Sequence, residues 1–201
     1  MRDRIHDLNL DDHEDKITYE DTVFEFISFN EAIGGKPNLR AYHDGKNNIS
    51  VGYGFNMTQE CARDIWNITL GPSTLFDDVK DGIAAITERQ AYQLYAYFRK
   101  ANLAALEQIY GHCWGQLKPN EMLMIEDAYY NGGSKLVGRC TRFCYNIIGY
   151  IKTSEPLYLK AALFEIKHRS NPDINTKVGK GIQNRRNAEA EMGNSLKYLN
   201  R

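Results

Sequence analysis

The sequence predicts an α+β protein that is mostly helical, with a small β-hairpin near its N-terminal end and a bundle of helices after it. Two short runs of β-type residues, 39–43 and 49–55, flank a turn-like segment, and most of the remaining chain carries apolar residues at helical spacing. Because the two kinds of element are separated along the chain, we expect a β-hairpin lobe and a helical bundle lobe with a cleft between them.

The first predicted helix ends close to residue 30. Thr18 and Asp21 have the spacing of a helix cap and its partner, and the apolar residues that follow share one helical face. The glycines and proline of segment 34–38 then break the helix. Segment 44–48, DGKNN, joins the two β-type runs and is rich in residues that favour turns, which predicts the hairpin.

The remaining elements are predicted to be helices. Segment 61–68 forms a short helix, and 73–86 is a loop with a helical turn. Thr87 and Gln90 form a capping-box pattern at the start of a helix long enough to bridge two lobes. Pro119 begins a nearly all-apolar helix that ends at the glycines 132 and 133. Three more helices are predicted at 136–151, 156–167 and 182–192.

Composition is that of an ordinary globular protein. At 201 residues one domain is the default, and 42% hydrophobic against 25% charged residues allows a packed core. No apolar run has the length of a membrane span, and the first residues lack a signal-peptide hydrophobic region, so synthesis in the cytoplasm is expected. The four cysteines are interpreted as free thiols, and neither they nor the histidines form a metal-ligand pattern.

Charge is distributed unevenly along the chain. Residues 1–21 contain eight acids and three bases, whereas the rest contains 18 acids and 22 bases. We therefore expect a flexible acidic extension over residues 1–17 and a mildly basic domain over 18–201. A mild positive field suits an anionic polymer, although ordinary surface variation explains the imbalance equally well.

Three polar residues around the hairpin are the candidate functional residues. Glu31 lies at the end of the first helix, Asp44 opens the turn, and Ser50 enters the returning strand. Far apart in an extended chain, these side chains would line one side of a cleft once the hairpin forms. Each residue alone is also explained without a functional role, since a Glu before a glycine pair is most often a surface residue and Asp-Gly is most often only a turn.

This segment resembles the phage-type lysozymes, the muramidases of glycoside hydrolase family 24. Their signature is a Glu at a helix end, an Asp in a following β-turn, and a hydroxyl residue six positions after the Asp, a spacing that Asp44 and Ser50 reproduce. Segments 117–133 (LKPNEMLMIEDAYYNGG) and 181–192 (GIQNRRNAEAEM) are similar to the family's buried helix and its C-terminal helix. Serine stands where the family usually has threonine, and the Glu–Asp spacing is longer.

The resemblance implies a peptidoglycan hydrolase that cleaves the β-1,4 bond between N-acetylmuramic acid and N-acetylglucosamine without a cofactor. Glu31 would be the general acid, Asp44 the base or charge stabiliser, and Ser50 would position water. Inversion at the anomeric carbon, which the family pattern implies, calls for a carboxyl separation of roughly 6.5–9.5 Å. The serine leaves the stereochemical outcome open.

Three further residues are predicted to bind substrate or support the site. Arg185 would hold Glu31 in place, Asn131 would bond substrate hydroxyl or acetamido groups, and Tyr53 would line the cleft. The alternatives are a solvated helix charge for Arg185, a helix C-cap for Asn131 and a core position for Tyr53.

The expected partner is a glycan strand of peptidoglycan, with no nucleic acid and no membrane insertion, and the protein is expected to be a monomer. It would act in the periplasm or cell wall after release through a holin pore, on a virion, or through a secretion machine. The alternatives are a wall-binding module without activity, a lytic transglycosylase, or a helical adaptor that shares only the first helix and hairpin.

Overall fold

The computed structural model describes residues 19–31, 35–44, 48–72, 74–169 and 175–194, with the backbone alone at residues 31, 169, 177 and 178. In this part of the chain a small antiparallel sheet is followed by helices, which confirms the mostly helical α+β class. The elements are α1 (Tyr19–Glu31), β1 (Asn38–His43), β2 (Ile49–Gly52), β3 (Phe55–Asn56), α2 (Ala62–Leu70), α3 (Phe76–Lys80), α4 (Glu88–Tyr110), a 3₁₀ helix (Gly111–Gln116), α5 (Pro119–Val137), α6 (Arg142–Thr153), α7 (Pro156–Arg169) and α8 (Lys177–Asn194).

The sheet has three strands in the order β1-β2-β3, not the two that the sequence predicts. Segment 49–55 divides because Gly52 and Gly54 take φ values of 66° and 87°, a region open to glycine at little cost, and the chain reverses there. A Cβ at Gly52 would lie 3.3 Å from the Cβ of Ala91, so the absence of a side chain also lets β2 pack closely on α4.

Two helix starts were predicted at the wrong place. The helix predicted at 136–151 begins instead at Arg142, where Thr141 Oγ1 accepts a hydrogen bond from the Cys144 N–H at 3.0 Å. Residues 136–137 belong to the end of α5, after a kink at Gly133. The last helix begins at Lys177, earlier than 182, with the Thr176 hydroxyl accepting from the Gly179 N–H at 2.9 Å. Glycines 179 and 181 obscured that start, since glycine is a poor helix former.

The long central helix matches its prediction. Thr87 and Gln90 form the capping box, with the Thr87 N–H donating to Gln90 Oε1 at 2.8 Å and the Gln90 N–H to Thr87 Oγ1 at 3.2 Å. The 23 residues of α4 span about 35 Å. The start of α1 predicted at Thr18, and the acidic extension over 1–17, lie outside the described residues.

The apolar side chains form two core clusters, and α4 contributes to both. The first packs the sheet against α1, α2 and the N-terminal half of α4, where Leu94 and Tyr95 are buried. The second cluster packs the helices α5, α6, α7 and α8 together with the C-terminal end of α4, where Leu106 and Tyr110 are buried. The sheet and the later helices are therefore held by one shared helix.

Two further expectations concern side chains and membranes. Cys61, Cys113, Cys140 and Cys144 are all free thiols, and Cys113 and Cys144 are buried. In the described part of the chain, no helix combines the length and the apolar character that crossing a membrane requires.

Candidate active site

The hairpin turn fixes the orientation of the Asp44 carboxylate. Asp44 follows β1 directly, is exposed, and its N–H donates to the Asn48 carbonyl at 3.1 Å. Its carboxylate accepts two hydrogen bonds from Asn48, from the backbone N–H at 3.3 Å and from Nδ2 at 3.0 Å. The carboxylate is therefore in water but held by the residue that closes the turn.

Thr58 fixes the Asn48 amide in turn. The Thr58 hydroxyl lies 3.2 Å from Asn48 Oδ1 and 2.6 Å from Asn56 Oδ1, and the Thr58 N–H donates to Asn56 Oδ1 at 2.8 Å. Because the Asp44 carboxylate only accepts hydrogen bonds, the Asn48 amide directs Nδ2 toward it, which leaves Oδ1 on the side of the Thr58 hydroxyl. A chain of polar contacts thus runs from β3 to the candidate carboxylate.

Asp44 lies one residue beyond the end of β1, and Ser50 is the second residue of β2. Tyr42 pairs with Ser50 and His43 with Ile49, so the Asp44–Asn48 bond continues the same register by one residue. Ser50 is only 3% exposed, so its hydroxyl lies beneath the surface that Asp44 occupies.

Glu31 is the last residue of α1, as predicted, and its side chain and residues 32–34 lie outside the described part of the chain. The helix that carries it is anchored along its length. Val23 and Ile27 are 0% and 1% exposed in the first core cluster, and the Tyr19 hydroxyl donates to Glu126 Oε1 at 2.6 Å. The first turn of α1 is therefore tied to α5, while the pairing of Glu31 with Asp44 stays a prediction.

A buried carboxylate, Glu126, ties α1 and α4 to α5. Besides Tyr19, it accepts from Arg99 Nε at 3.0 Å, and Arg99 also pairs with Glu20. Burial raises the pKa of Glu126, and the neighbouring Arg99 and Tyr19 work in the opposite direction. Burial likewise raises the pKa of Tyr19, so this hydroxyl remains a donor.

A second group of charges, here called the buried charge cluster, consists of Asp127, Arg185, Arg186 and Glu189. Arg185 donates from Nε and Nη2 to the two oxygens of Asp127 at 3.0 and 2.7 Å, while Arg186 pairs with Glu189. Asp127 and Glu189 are both 0% exposed. Two arginines and two carboxylates balance one another, which is how charges are tolerated inside a protein.

The environment of Glu189 raises the pKa of its carboxyl. Burial raises its pKa well above the ordinary 4.5, the charge of Asp127 raises it further, and Arg186 and Arg185 act against both. A group whose pKa is raised on folding contributes stability that is complete below its unfolded pKa and is lost as pH rises through its folded pKa. Glu189 should therefore destabilise the folded protein progressively above pH 4.5.

Glu189→Gln should weaken this pH dependence, because glutamine has no proton to lose. We expect the free energy of unfolding to fall less with rising pH in this variant than in wild type. Urea denaturation at about pH 5, 6.5 and 8 measures the slope. Glu25→Gln, at an exposed position on α1, is the control and should keep the wild-type slope. Equal slopes in wild type and Glu189→Gln would contradict the assignment.

The predicted substrate residues have the following positions. The Tyr53 ring is 8% exposed and lies 5.3 and 6.0 Å from the rings of Phe24 and Tyr95, which favours the core alternative. Asn131 is exposed on α5, and its Oδ1 accepts from Arg186. Arg185 is 8% exposed and bonds Asp127, so it is a buried, paired charge and not the solvated helix charge of the alternative interpretation.

The sequence did not reveal the buried acids of α5. The sequence predicts segment 121–130 to be nearly all apolar, yet it contains three acids, Glu121, Glu126 and Asp127, that are 2%, 3% and 0% exposed. Each acid has a partner on another element. Tyr150 donates to Glu121 at 3.0 Å, Arg99 to Glu126 and Arg185 to Asp127. The sequence does carry a signal for these buried ion pairs: acids lie within an otherwise apolar helix, and two adjacent arginines lie in a later helix.

No protein-family model matches this chain, and a search of curated protein sequences finds no match either. The class that the coordinates define is an α+β domain with a polar hairpin turn and two buried ion-pair networks.

Proposed function

We propose that this chain is a muramidase that hydrolyses the β-1,4 bond between N-acetylmuramic acid and N-acetylglucosamine in peptidoglycan. One observation carries the proposal: the Asp44 carboxylate is held next to the hairpin by two hydrogen bonds from Asn48. This arrangement follows a helix that ends at Glu31, in the order that phage-type lysozymes have.

In the proposed mechanism the two carboxyl groups have different tasks. Glu31 protonates the glycosidic oxygen as the bond breaks, and the negatively charged Asp44 faces the sugar ring where positive charge develops. The exposed position of Asp44 gives solvent access for an attacking water, which Asp44 would deprotonate. Ser50 is the residue that the resemblance assigns to positioning that water, and at 3% exposure it would have to be reached from within the cleft and not from the open surface.

The buried networks act as scaffolding in this proposal. Tyr19 and Arg99 hold α1 through Glu126, so the helix that presents Glu31 has a fixed position relative to α4 and α5. Arg185 and Arg186 lock α8 to α5, with Arg186 also bonded to Asn131. Arg185 would support Glu31 from within this cluster, where Asp127 already balances its charge.

Asn48→Ala tests whether the turn positions Asp44 for catalysis. The variant removes the Nδ2 hydrogen bond and keeps the backbone one, so kcat should fall by about fivefold, as expected for one hydrogen bond of about 1 kcal/mol. KM should change little because Asn48 orients a reacting group and is not predicted to bind the glycan. Steady-state rates on soluble peptidoglycan fragments measure both constants.

Asn67→Ala, on the exposed side of α2, is the matched control and should leave kcat unchanged. An unchanged kcat in Asn48→Ala would show that Asp44 either needs no fixed orientation or takes no part in the reaction.

A clearing assay tests the proposed activity against its alternatives. The wild-type protein should reduce the turbidity of a suspension of purified peptidoglycan sacculi. A wall-binding module without activity would co-sediment with the sacculi and leave the turbidity constant. A helical adaptor would do neither, and either of these results overturns the proposal.

A further inference from the structure

A buried arginine holds a surface amide in the second half of α5. Arg186 is 2% exposed, yet its Nη2 donates to Oδ1 of Asn131, which is an exposed residue. Its Nη1 donates to the carboxylate of Glu189, which is 0% exposed and holds the guanidinium in the interior. The Asn131 side chain is therefore a surface group whose position is set from inside the protein.

The arginine also decides which end of the Asn131 amide faces outward. A guanidinium group only donates hydrogen bonds, so it takes the carbonyl oxygen Oδ1, and Nδ2 lies at the other end of the amide. The reversed amide would place N–H groups against N–H groups. In the part of the chain that the structure describes, Nδ2 has no hydrogen-bond partner. Asn131 thus presents a fixed N–H donor to solvent.

Asn131 adjoins the contact between α5 and the hairpin. The hydroxyl of the preceding residue, Tyr130, donates to the Tyr53 carbonyl at 2.8 Å. Tyr53 lies in the turn between β2 and β3, three residues after Ser50. The outward donor is therefore one residue along α5 from the point where this helix contacts the turn that follows the strand of Ser50.

Support of Arg186 does not by itself require an asparagine. An aspartate at the same position would accept from Arg186 in a charge-assisted hydrogen bond, which is the stronger kind. Nor does Asn131 end the helix, since α5 continues to Val137 after the kink at Gly133. What asparagine adds is the N–H donor on the solvent side. A donor that is already held in place loses little conformational freedom when it binds an acceptor, which favours binding.

We propose that Arg186 is a positioning residue that holds the Asn131 amide as a donor to the acetamido oxygen of a sugar. The choice of ligand rests on the proposed function, which makes an N-acetylated glycan the substrate. An amide carbonyl only accepts hydrogen bonds, so it matches an N–H donor better than a hydroxyl, which must also find an acceptor for its own proton. Recognition of this oxygen selects N-acetylated sugars over sugars with a hydroxyl at the same carbon.

Asn131→Asp separates the donor from the support of Arg186. Aspartate accepts from Arg186 but has no N–H, so the fold should be retained while the donor is lost. The probes are the trimer of N-acetylglucosamine and cellotriose, which has a hydroxyl in place of each acetamido group. Each is titrated into the full chain and followed by NMR, with the side-chain amide signal of Asn131 as the local reporter in wild type. Wild type should bind the N-acetylated trimer more tightly than cellotriose. Asn131→Asp should bind that trimer about fivefold more weakly than wild type, with cellotriose unchanged.

Two further variants supply the control and test the positioning itself. Asn67→Asp introduces the same charge at an exposed position on α2 and should bind both trisaccharides as wild type does. In Arg186→Lys, lysine keeps the positive charge beside Glu189 but lacks the planar fork that also reaches Asn131. The preference for the N-acetylated trimer should therefore fall although Asn131 is still present. If Arg186→Lys does not fold, Asn131→Asp decides the proposal alone.

Three results would overturn the proposal. They are equal binding of the two trisaccharides by wild type, an unchanged preference in Asn131→Asp, and an unchanged preference in a folded Arg186→Lys. Any of them together with clearing of sacculi by wild type would refute this inference alone. Failure of the wild-type protein to clear sacculi would instead refute the proposed function.

Discussion

Replacement of Glu31 by glutamine should lower the rate of peptidoglycan hydrolysis by about 10²–10⁴-fold, the usual contribution of a general acid. Glutamine has nearly the same size but carries no proton that it can transfer to the glycosidic oxygen. Residues 23 and 27 hold α1 in the core independently of its last residue, so the fold should be retained. Release of new reducing ends from purified peptidoglycan measures the rate.

Glu25→Gln provides the matched control for that experiment. It makes the same substitution on the same helix at an exposed position, and it should keep the wild-type rate. Binding of Glu31→Gln to sacculi should also be unchanged, because the lost step is chemical. A Glu31→Gln variant that hydrolyses at the wild-type rate would remove Glu31 from the mechanism.

Replacement of Arg185 by methionine should destabilise the protein by about 3–5 kcal/mol, the cost of leaving a buried charge without its partner. Asp127, which is 0% exposed, would lose both of its hydrogen bonds to Arg185. Methionine keeps much of the length of the arginine stem, so the effect comes from charge more than from volume. The urea denaturation midpoint and slope give the free energy of unfolding.

Two companion variants isolate the cause of that loss. Arg142→Met removes an arginine whose side chain is 86% exposed and should change stability by less than about 0.5 kcal/mol. The double variant Arg185→Met/Asp127→Leu removes both charges and should recover part of the loss, since a paired replacement leaves no unpaired charge. A double variant that is less stable than Arg185→Met alone would show that the unpaired charge of Asp127 is not the cause of the destabilisation.

Local signals predicted the helices and the hairpin well. Thr87 and Gln90 marked the start of α4 because a capping box needs only residues three apart. Pro119 marked the start of α5 for a similar reason, since proline fits the first turn of a helix. The start of α8 was not predicted, because its cap, Thr176, precedes a glycine-containing sequence that does not look helical.

Features that depend on distant residues could not be predicted in the same way. The division of segment 49–55 into β2 and β3 follows from the positive φ of Gly52 and Gly54, and Gly52 packs closely on Ala91, which belongs to a different element. The buried charge cluster joins residues 58 apart in sequence, Asp127 and Arg185, and helical periodicity alone places such residues in solvent. For the candidate site, the positions of Glu31, Asp44 and Ser50 on their elements were predicted, whereas the role of Asn48 required the coordinates.

Mass spectrometry of peptidoglycan digested by the wild-type protein tests the proposed activity most directly. The account predicts fragments that end in a reducing N-acetylmuramic acid, with one water added for each bond cleaved. Fragments ending in 1,6-anhydro-N-acetylmuramic acid would instead identify a lytic transglycosylase. Reducing N-acetylglucosamine ends, or undigested polymer, would contradict the account.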